Sequence, residues 1–196
     1  MRYLVTELLD VGRVEQGKLV DHREEVDLVA VVRESCAEQR GTLHPCALEA
    51  KEAVIGSYDA MRIRQLVDNL LDNAVKYSPD GGTIRVRVWR EGCSAHITVT
   101  DQGIGIPAAD LPHLFDRFHR GTNVDDRRFS GMGLGLYICR GIAEQHGGQL
   151  LASSRGPSQG STFHVVLPAM APEGTVPEQA SERDAPTQAP VAGEPA

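Results

Sequence analysis

Asn69, Asn73 and Lys76 stand four and three residues apart, so a helix through them carries two amides and an ammonium along one rim. At about 100° per residue, Ile63, Leu66, Val67, Leu70, Ala74 and Tyr77 form one apolar stripe. The polar trio lines the edge of that stripe beside Arg62, while Asp68 and Asp72 project to the far side. Neutral and basic groups, with the carboxylates turned away, make a surface suited to a triphosphate. Asp101 poses a sharper question. Ala95, Ile97 and Val99 alternate with His96, Thr98 and Thr100, and the same parity turns Asp101 toward the apolar side. A carboxylate there is costly unless it is hydrogen-bonded. Gly103 and Gly105 follow it and let backbone pass close to a ligand. Gly131, Gly133 and Gly135 precede a helix, whose free N–H groups and dipole favour phosphate. No Lys-Ser/Thr pair follows these glycines and their spacing is not G-x-G-x-x-G, so neither a P-loop nor a dinucleotide fingerprint is present.

The elements that must hold these groups are legible in outline. Leu4, Leu8, Val11 and Val14 form a short amphipathic seam that Gly17 ends, and such a seam needs a partner to be stable. Glu25–Asp27 reads as a strand, and Asp27 caps a helix from Leu28 to about Arg40. Residues 45–50 and 53–56 are short strands. Asp59 caps the long helix to about Tyr77, which Pro79, Gly81 and Gly82 stop. Strands 83–90 and 94–100 make a hairpin. Residues 103–130 lack periodicity and read as a mobile loop with short helical turns. A helix spans about Leu134 to Gln145, and residues 150–154 and 161–167 form a last hairpin.

The chain has 196 residues, enough for one domain with appendages. It carries 20 basic and 27 acidic side chains, and the net −7 argues against a nucleic-acid partner. From Ala169 onward there are five acids against one arginine, five prolines and no aromatic. That stretch buries too little apolar surface to offset its ordering entropy and reads as a disordered acidic tail or linker over 169–196. Cys36, Cys46, Cys93 and Cys139 form no C-x-x-C pair, so free thiols in a reducing, cytoplasmic setting are expected. No apolar run reaches the ~18 residues of a membrane span, although an anchor upstream in a longer protein is compatible with this.

Four segments together carry a family signature: residues 69–77 with Asn69, Asn73, Lys76 and Tyr77; Asp101, Gly103, Ile104 and Gly105; Phe115, Asp116, Arg117 and Phe118; and Gly131, Met132, Gly133, Leu134, Gly135 and Leu136. The set resembles the N, G1, F and G2 boxes of the ATP-binding domain of sensor histidine kinases, on the Bergerat (GHKL) fold, over roughly residues 50–168. The resemblance implies a two-layer α/β sandwich with a mixed sheet and helices on one face. It implies the end of a dimerisation helix over 1–17 and an ATP-binding catalytic domain over 18–168. It also implies protein-histidine kinase activity with ATP and Mg²⁺ as cofactors. By the same resemblance Asn73 ligates Mg²⁺, Asn69 contacts phosphate and Lys76 offsets its charge, while Asp101 accepts from the adenine amino group. Phe115 and Phe118 anchor a lid, with Phe118 also contacting ATP, Arg117 or Arg120 reaches phosphate, and Asn69, Lys76 and Arg117 are the catalytic residues. Many members have glycine where Ser130 stands, a departure that touches lid flexibility.

A phosphoacceptor histidine in such kinases is usually followed by Glu or Asp. The seven histidines here are followed by Arg23, Pro45, Ile97, Leu114, Arg120, Gly147 and Val165. The implied partner is therefore a histidine-bearing dimerisation domain, in the same full-length protein or in a partner chain, with a response regulator receiver domain downstream. A homodimer is expected only with the full dimerisation domain. Two alternatives remain: a GHKL-type ATPase and a non-catalytic, nucleotide-dependent interaction module. The ATPases place a glutamate base one helical turn before the metal asparagine, where this chain has Asn69.

Overall fold

The computed structural model describes residues 2–38, 43–125, 129 and 131–170, with the backbone alone for 2–4. The acidic tail beyond 170, Ser130 and the end of the second helix near Arg40 lie outside the described residues. The elements run α1 (Arg2–Glu15), β1 (Glu24–Asp27), α2 (Leu28–Glu38), β2 (Cys46–Ala50), β3 (Ile55–Tyr58), α3 (Ala60–Lys76), β4 (Ile84–Glu91), β5 (Ser94–Thr100), α4 (Gly135–Gln145), β6 (Gln149–Ser153) and β7 (Thr162–Pro168). Among the described residues, a 3-10 turn, Leu111–His113, breaks the long connection between β5 and α4.

Five strands form one mixed sheet in the order β2-β4-β5-β7-β6, in which β2 and β4 run parallel and the other pairs are antiparallel. The strand alternation read from the sequence fixes which face is dry. Val86, Val88, Ala95, Ile97, Val99, Phe163, Val165 and Leu167 are buried under the helices. Arg85, Arg87, Trp89, His96 and His164 take the other face. There Trp89 stacks on His96 with ring centroids 4.8 Å apart. The fold is thus a two-layer α/β sandwich with helices on one face. β1 and β3 form a separate antiparallel pair.

α3 is the central helix and packs against both α2 and α4. Ile63, Leu66, Val67, Leu70, Leu71 and Ala74 are buried along it, and the larger of these contribute about 1.5–3 kcal/mol each. The Asp59 side chain caps its start by accepting from the Arg62 N–H at 3.1 Å, and Asp27 accepts from Val29 and Val54 at 2.9 and 3.1 Å. α4 ends in a Schellman arrangement, with the Gly147 N–H bonded to Glu144 and the Gly148 N–H to Ala143, both at 2.9 Å.

Two sequence expectations need correction here. Cys36 and Cys46 are joined as a disulfide, with Cα atoms 5.6 Å apart. The end of α2 returns beside the first residue of β2, a juxtaposition that spacing along the chain does not reveal. Cys93 and Cys139 are free thiols. The N-terminal seam also splits. Val11 and Val14 pack on the domain, but Leu8 is 51% exposed. The docked face of α1 is instead Glu7, Asp10, Val11 and Val14, because the buried Asp10 carboxylate (2% exposed) meets Arg62 at 3.1 Å and Gln65 at 2.8 Å on α3. The domain itself supplies the partner that this helix needs. Among the described residues, no helix is long and apolar enough to cross a membrane.

Candidate functional site

A cavity of about 450 Å³ opens between α3, residues of the 101–124 and 131–134 stretches and the N-terminal end of α4. The rim of α3 forms one wall, with Asn69, Asn73, Lys76 and Tyr77 all lining it. Asp72 lines it too, which corrects its expected outward placement. It lies three residues after Asn69 and four before Lys76, the spacing that puts side chains on one helix face. Behind this wall the Cys139 thiol is fully buried, and burial pushes its pKa up to about 12, so it is an inert neighbour of Asn69.

Asp101 also lines the cavity and is only 6% exposed. Its carboxylate is held by the Gly103 N–H at 2.8 Å, the Ser161 N–H at 3.2 Å and the Ser161 hydroxyl. These donors offset its desolvation and fix one edge of the carboxylate toward the cavity. The Asp101 N–H returns the pairing to Ser161 across the end of β5 and β7. Gly103 itself stays out of the cavity lining. A Cβ there would stand 2.1 Å from the Tyr77 carbonyl oxygen, and the next residue, Ile104, donates to that same oxygen at 2.9 Å. The glycine is needed for close approach of the loop to the end of α3.

Ile104, Gly105, Arg120, Gly131, Met132, Gly133, Leu134, Gly135 and Leu136 also line the cavity. The first turn of α4 has no side-chain cap, and its N-terminal residues form part of the wall, the end of a helix that carries N–H groups without intrahelical partners. Gly133 sits at φ +71°, where a Cβ would meet the His119 carbonyl oxygen at 2.5 Å. No other residue fits there without moving that backbone. A Cβ on Gly131 would lie 2.9 Å from Lys76 Nζ, so the ammonium reaches across the cavity to the glycine segment.

The loop over the cavity is internally braced. Asp110 is buried and accepts from the Thr122 N–H and hydroxyl at 2.7 and 2.9 Å. The Asn123 amide donates to the Gly105 carbonyl at 3.1 Å. Phe129 is buried with its ring 5.3 Å from that of Tyr77. Two residues of the aromatic segment depart from expectation. Phe115 is half-buried against the core, whereas Phe118 is 54% exposed, sits at φ +64° and does not line the cavity. Its N–H bonds to the Gly133 carbonyl at 3.1 Å, so backbone rather than ring ties this segment to the glycines. Arg117 stands outside the cavity wall and pairs with Glu15 of α1 at 2.6 Å.

Of the residues expected to bind nucleotide, the fold therefore gathers all but Gly103 and Phe118 around one cavity, and it leaves out Arg117, expected to be catalytic. It adds Glu7, Asp72, Ile106, Leu114, His119, Gly121, Asn123, Val124, Ser161 and Phe163. Ser161 was recoverable from strand register, because it lies opposite Asp101. Glu7 had no local signal. Burial raises its carboxyl pKa, while Lys76 draws it down and Asp10 adds to the rise. Among the described residues no group of three or more His, Cys, Asp or Glu side chains is arranged to hold a metal. Oxygen donors do line the cavity on the α3 rim, in the Asn73 amide and the Asp72 carboxylate. Such a set suits a hard cation that brings most of its ligands with it.

The family model for histidine kinase-, DNA gyrase B-, and HSP90-like ATPases matches residues 58–171. The chain is similar to the sensor-like histidine kinase SenX3 of Mycobacterium tuberculosis, 32% identical over 188 residues, which is 91% of this chain and 45% of that protein. It is also similar to the sensor histidine kinase YkoH of Bacillus subtilis, 37% identical over 167 residues, covering 82% of this chain and 35% of that one. The chain thus spans less than half the length of these relatives. Among solved structures, the mycobacterial sensor histidine kinase MprB matches with a TM-score of 0.66 at 31% identity, over 75% of this chain and 97% of that one.

Proposed function

Because the chain belongs to the family of histidine kinase-, DNA gyrase B-, and HSP90-like ATPases and is the ATP-binding catalytic domain of a two-component sensor histidine kinase, we propose that it binds Mg-ATP and donates the γ-phosphate to a histidine on a dimerisation domain. That domain belongs to the same full-length protein or to a partner chain, and a response regulator receives the phosphoryl group afterwards. The carrying observation is that Asp101 and Asn73, far apart in the chain, line one cavity. On this reading the adenine amino group donates to Asp101, and the purine lies along Ile104 and Gly105. The triphosphate runs between the α3 rim and the uncapped first turn of α4. Asn69 contacts phosphate and Lys76 offsets its charge, with Arg120 and the Gly131–Leu136 backbone closing the other side.

Magnesium, held by the Asn73 amide oxygen and phosphate oxygens, would supply further neutralisation of the triphosphate. Catalysis then rests on positioning and electrostatic offset of the transferring phosphoryl. The acceptor imidazole is the nucleophile, and it is sought on the dimerisation domain because none of the chain's seven histidines is followed by Glu or Asp. Residues 1–17 are read as the end of a dimerisation helix, 18–168 as the catalytic domain and 169–196 as tail or linker. The domain works on the cytoplasmic side, whether or not the full-length protein is anchored.

A GHKL-type ATPase is disfavoured because Asn69 occupies the position of the water-activating base. Two measurements test the proposal. Calorimetry should give adenine-nucleotide binding that guanine nucleotides do not match. With radiolabelled ATP the chain should stay unlabelled until a cognate dimerisation domain is added, which then takes the label on histidine. Label on the isolated chain, or no adenine preference, overturns it.

A further inference from the structure

α1 lies outside the matched family region, yet it supplies a side chain to the cavity. Its docking is specific. Asp10 is buried against Arg62 and Gln65 of α3, and Glu15 pairs with Arg117. Val14 fills the space above Gly141, where a Cβ would come within 2.7 Å of it. Glu7 is three and four residues before Asp10 and Val11, so the same face carries it forward onto the α3 rim, where it joins the cavity wall with Asn73, Lys76 and Asp72. The position is a chemical oddity. In a site read as holding the most negatively charged part of its ligand, a carboxylate is brought in by a separate helix and set beside the ammonium that would meet that charge.

From this juxtaposition we propose that Glu7 is a specificity-determining residue of the nucleotide site, which selects triphosphate already complexed with a divalent cation over free triphosphate. This rests on the nucleotide reading given above. A divalent cation removes two negative charges from the triphosphate. Repulsion from a fixed carboxylate grows in proportion to the ligand's charge and is felt most where water is partly excluded. Glu7 therefore penalises the free polyanion more than the complex. It also leaves Lys76 only partly neutralised, so the complexed form is still attracted. Asp72, on the same rim but exposed to solvent, acts in the same sense and more weakly because its charge is better screened.

The experiment compares ATP affinity in excess magnesium and in EDTA, at low ionic strength, with adenosine as the uncharged control. It uses wild type, Glu7→Gln and Glu7→Lys. Glu7→Gln should strengthen metal-free ATP binding by about three- to tenfold, change Mg-ATP by less than about twofold and leave adenosine unchanged. Glu7→Lys should extend the same trend, and about 0.5 M salt should compress it. Equal shifts for all three ligands, or no change in the metal-free to Mg-ATP ratio in either variant, overturn the charge selection while leaving the nucleotide site intact. A wild-type chain that binds neither ATP nor adenosine removes the site reading and this inference together.

Discussion

Ser161 stands directly across from Asp101 at the cavity end of β5 and β7, with its N–H 3.2 Å from one carboxylate oxygen and its hydroxyl on the other. The carboxylate is thereby oriented before any ligand arrives, which limits the ordering cost of binding. Asp101→Asn replaces an acceptor with a donor at the edge facing the cavity. It should weaken ADP binding by about 1–3 kcal/mol, the range for spoiling a buried polar pair. Ser161→Ala removes only the orienting hydroxyl and should fall at or below the lower end of that range. Calorimetry with ADP reads both. Unchanged affinity in Asp101→Asn would remove adenine recognition from this residue.

Asn73 lines the cavity on the α3 rim together with two acids, Asp72 and Glu7. Asn73→Ala should sharply reduce the gain in ATP affinity that magnesium brings, down to the charge selection left by Glu7, while adenosine still binds. The ATP-induced rise in melting temperature should likewise lose most of its dependence on magnesium. A dependence as large as in wild type would move the metal to another ligand.

Asp10 is buried between α1 and α3, where Arg62 also meets Gln65 Oε1 at 2.7 Å. Truncating Asp10 to Ala removes the carboxylate and leaves Arg62 with that one amide partner. The expected loss is about 1–3 kcal/mol of stability, read from urea denaturation at neutral pH. It should be accompanied by faster proteolysis near Gly17 as α1 loosens. Stability equal to wild type would mean that α1 contributes no docking energy.

Acid should destabilise the fold through two histidines. His146 is buried, accepts from the Asp59 N–H at 2.9 Å and bonds the Ile142 carbonyl through its other nitrogen at 2.8 Å. It therefore works as the neutral ring. Burial lowers its pKa, and His164 is lowered by burial and by neighbouring His96. Below the ordinary histidine value near 6.5 the unfolded chain binds protons that the folded one refuses. Stability is then full above that value and is lost as pH falls from it toward the depressed folded-state values. Melting temperature between pH 8 and 5 measures this, and His146→Gln should flatten part of the slope. A melting temperature independent of pH over that range would contradict the assignment.

How much of this was legible in the sequence depended on the range of the interaction. The α3 rim was readable because a helix has one period, and Asn69, Asn73 and Lys76 obey it. Asp72 lies well away from the apolar stripe and so reads as outward, but its three-residue step from Asn69 keeps it on the rim. The inward turn of Asp101 followed from the two-residue period of β5. Ser161 was a harder case, since it depends on β7 pairing with β5 rather than stopping at its hairpin with β6. Arg117 sat in the right motif but is drawn to Glu15 on α1. Cys36 and Cys46 looked unpaired because the loop returning α2 to β2 has no spacing signal.

Local periodicity, which needs only the geometry of a single helix or strand, determined the cavity-facing rim of α3 and the acid at the end of β5, and the four motifs together implied the fold class through the family they resemble. The tertiary structure alone decided what faces them: Ser161 beneath the acid, Glu7 beside Lys76, and the choice by α1 of its Asp10 face over its Leu8 face. Those outcomes turn on competition between surfaces far apart in the chain. Burying Asp10 against Arg62 and Gln65 wins only when the two helices meet, and no period within either helix records that meeting.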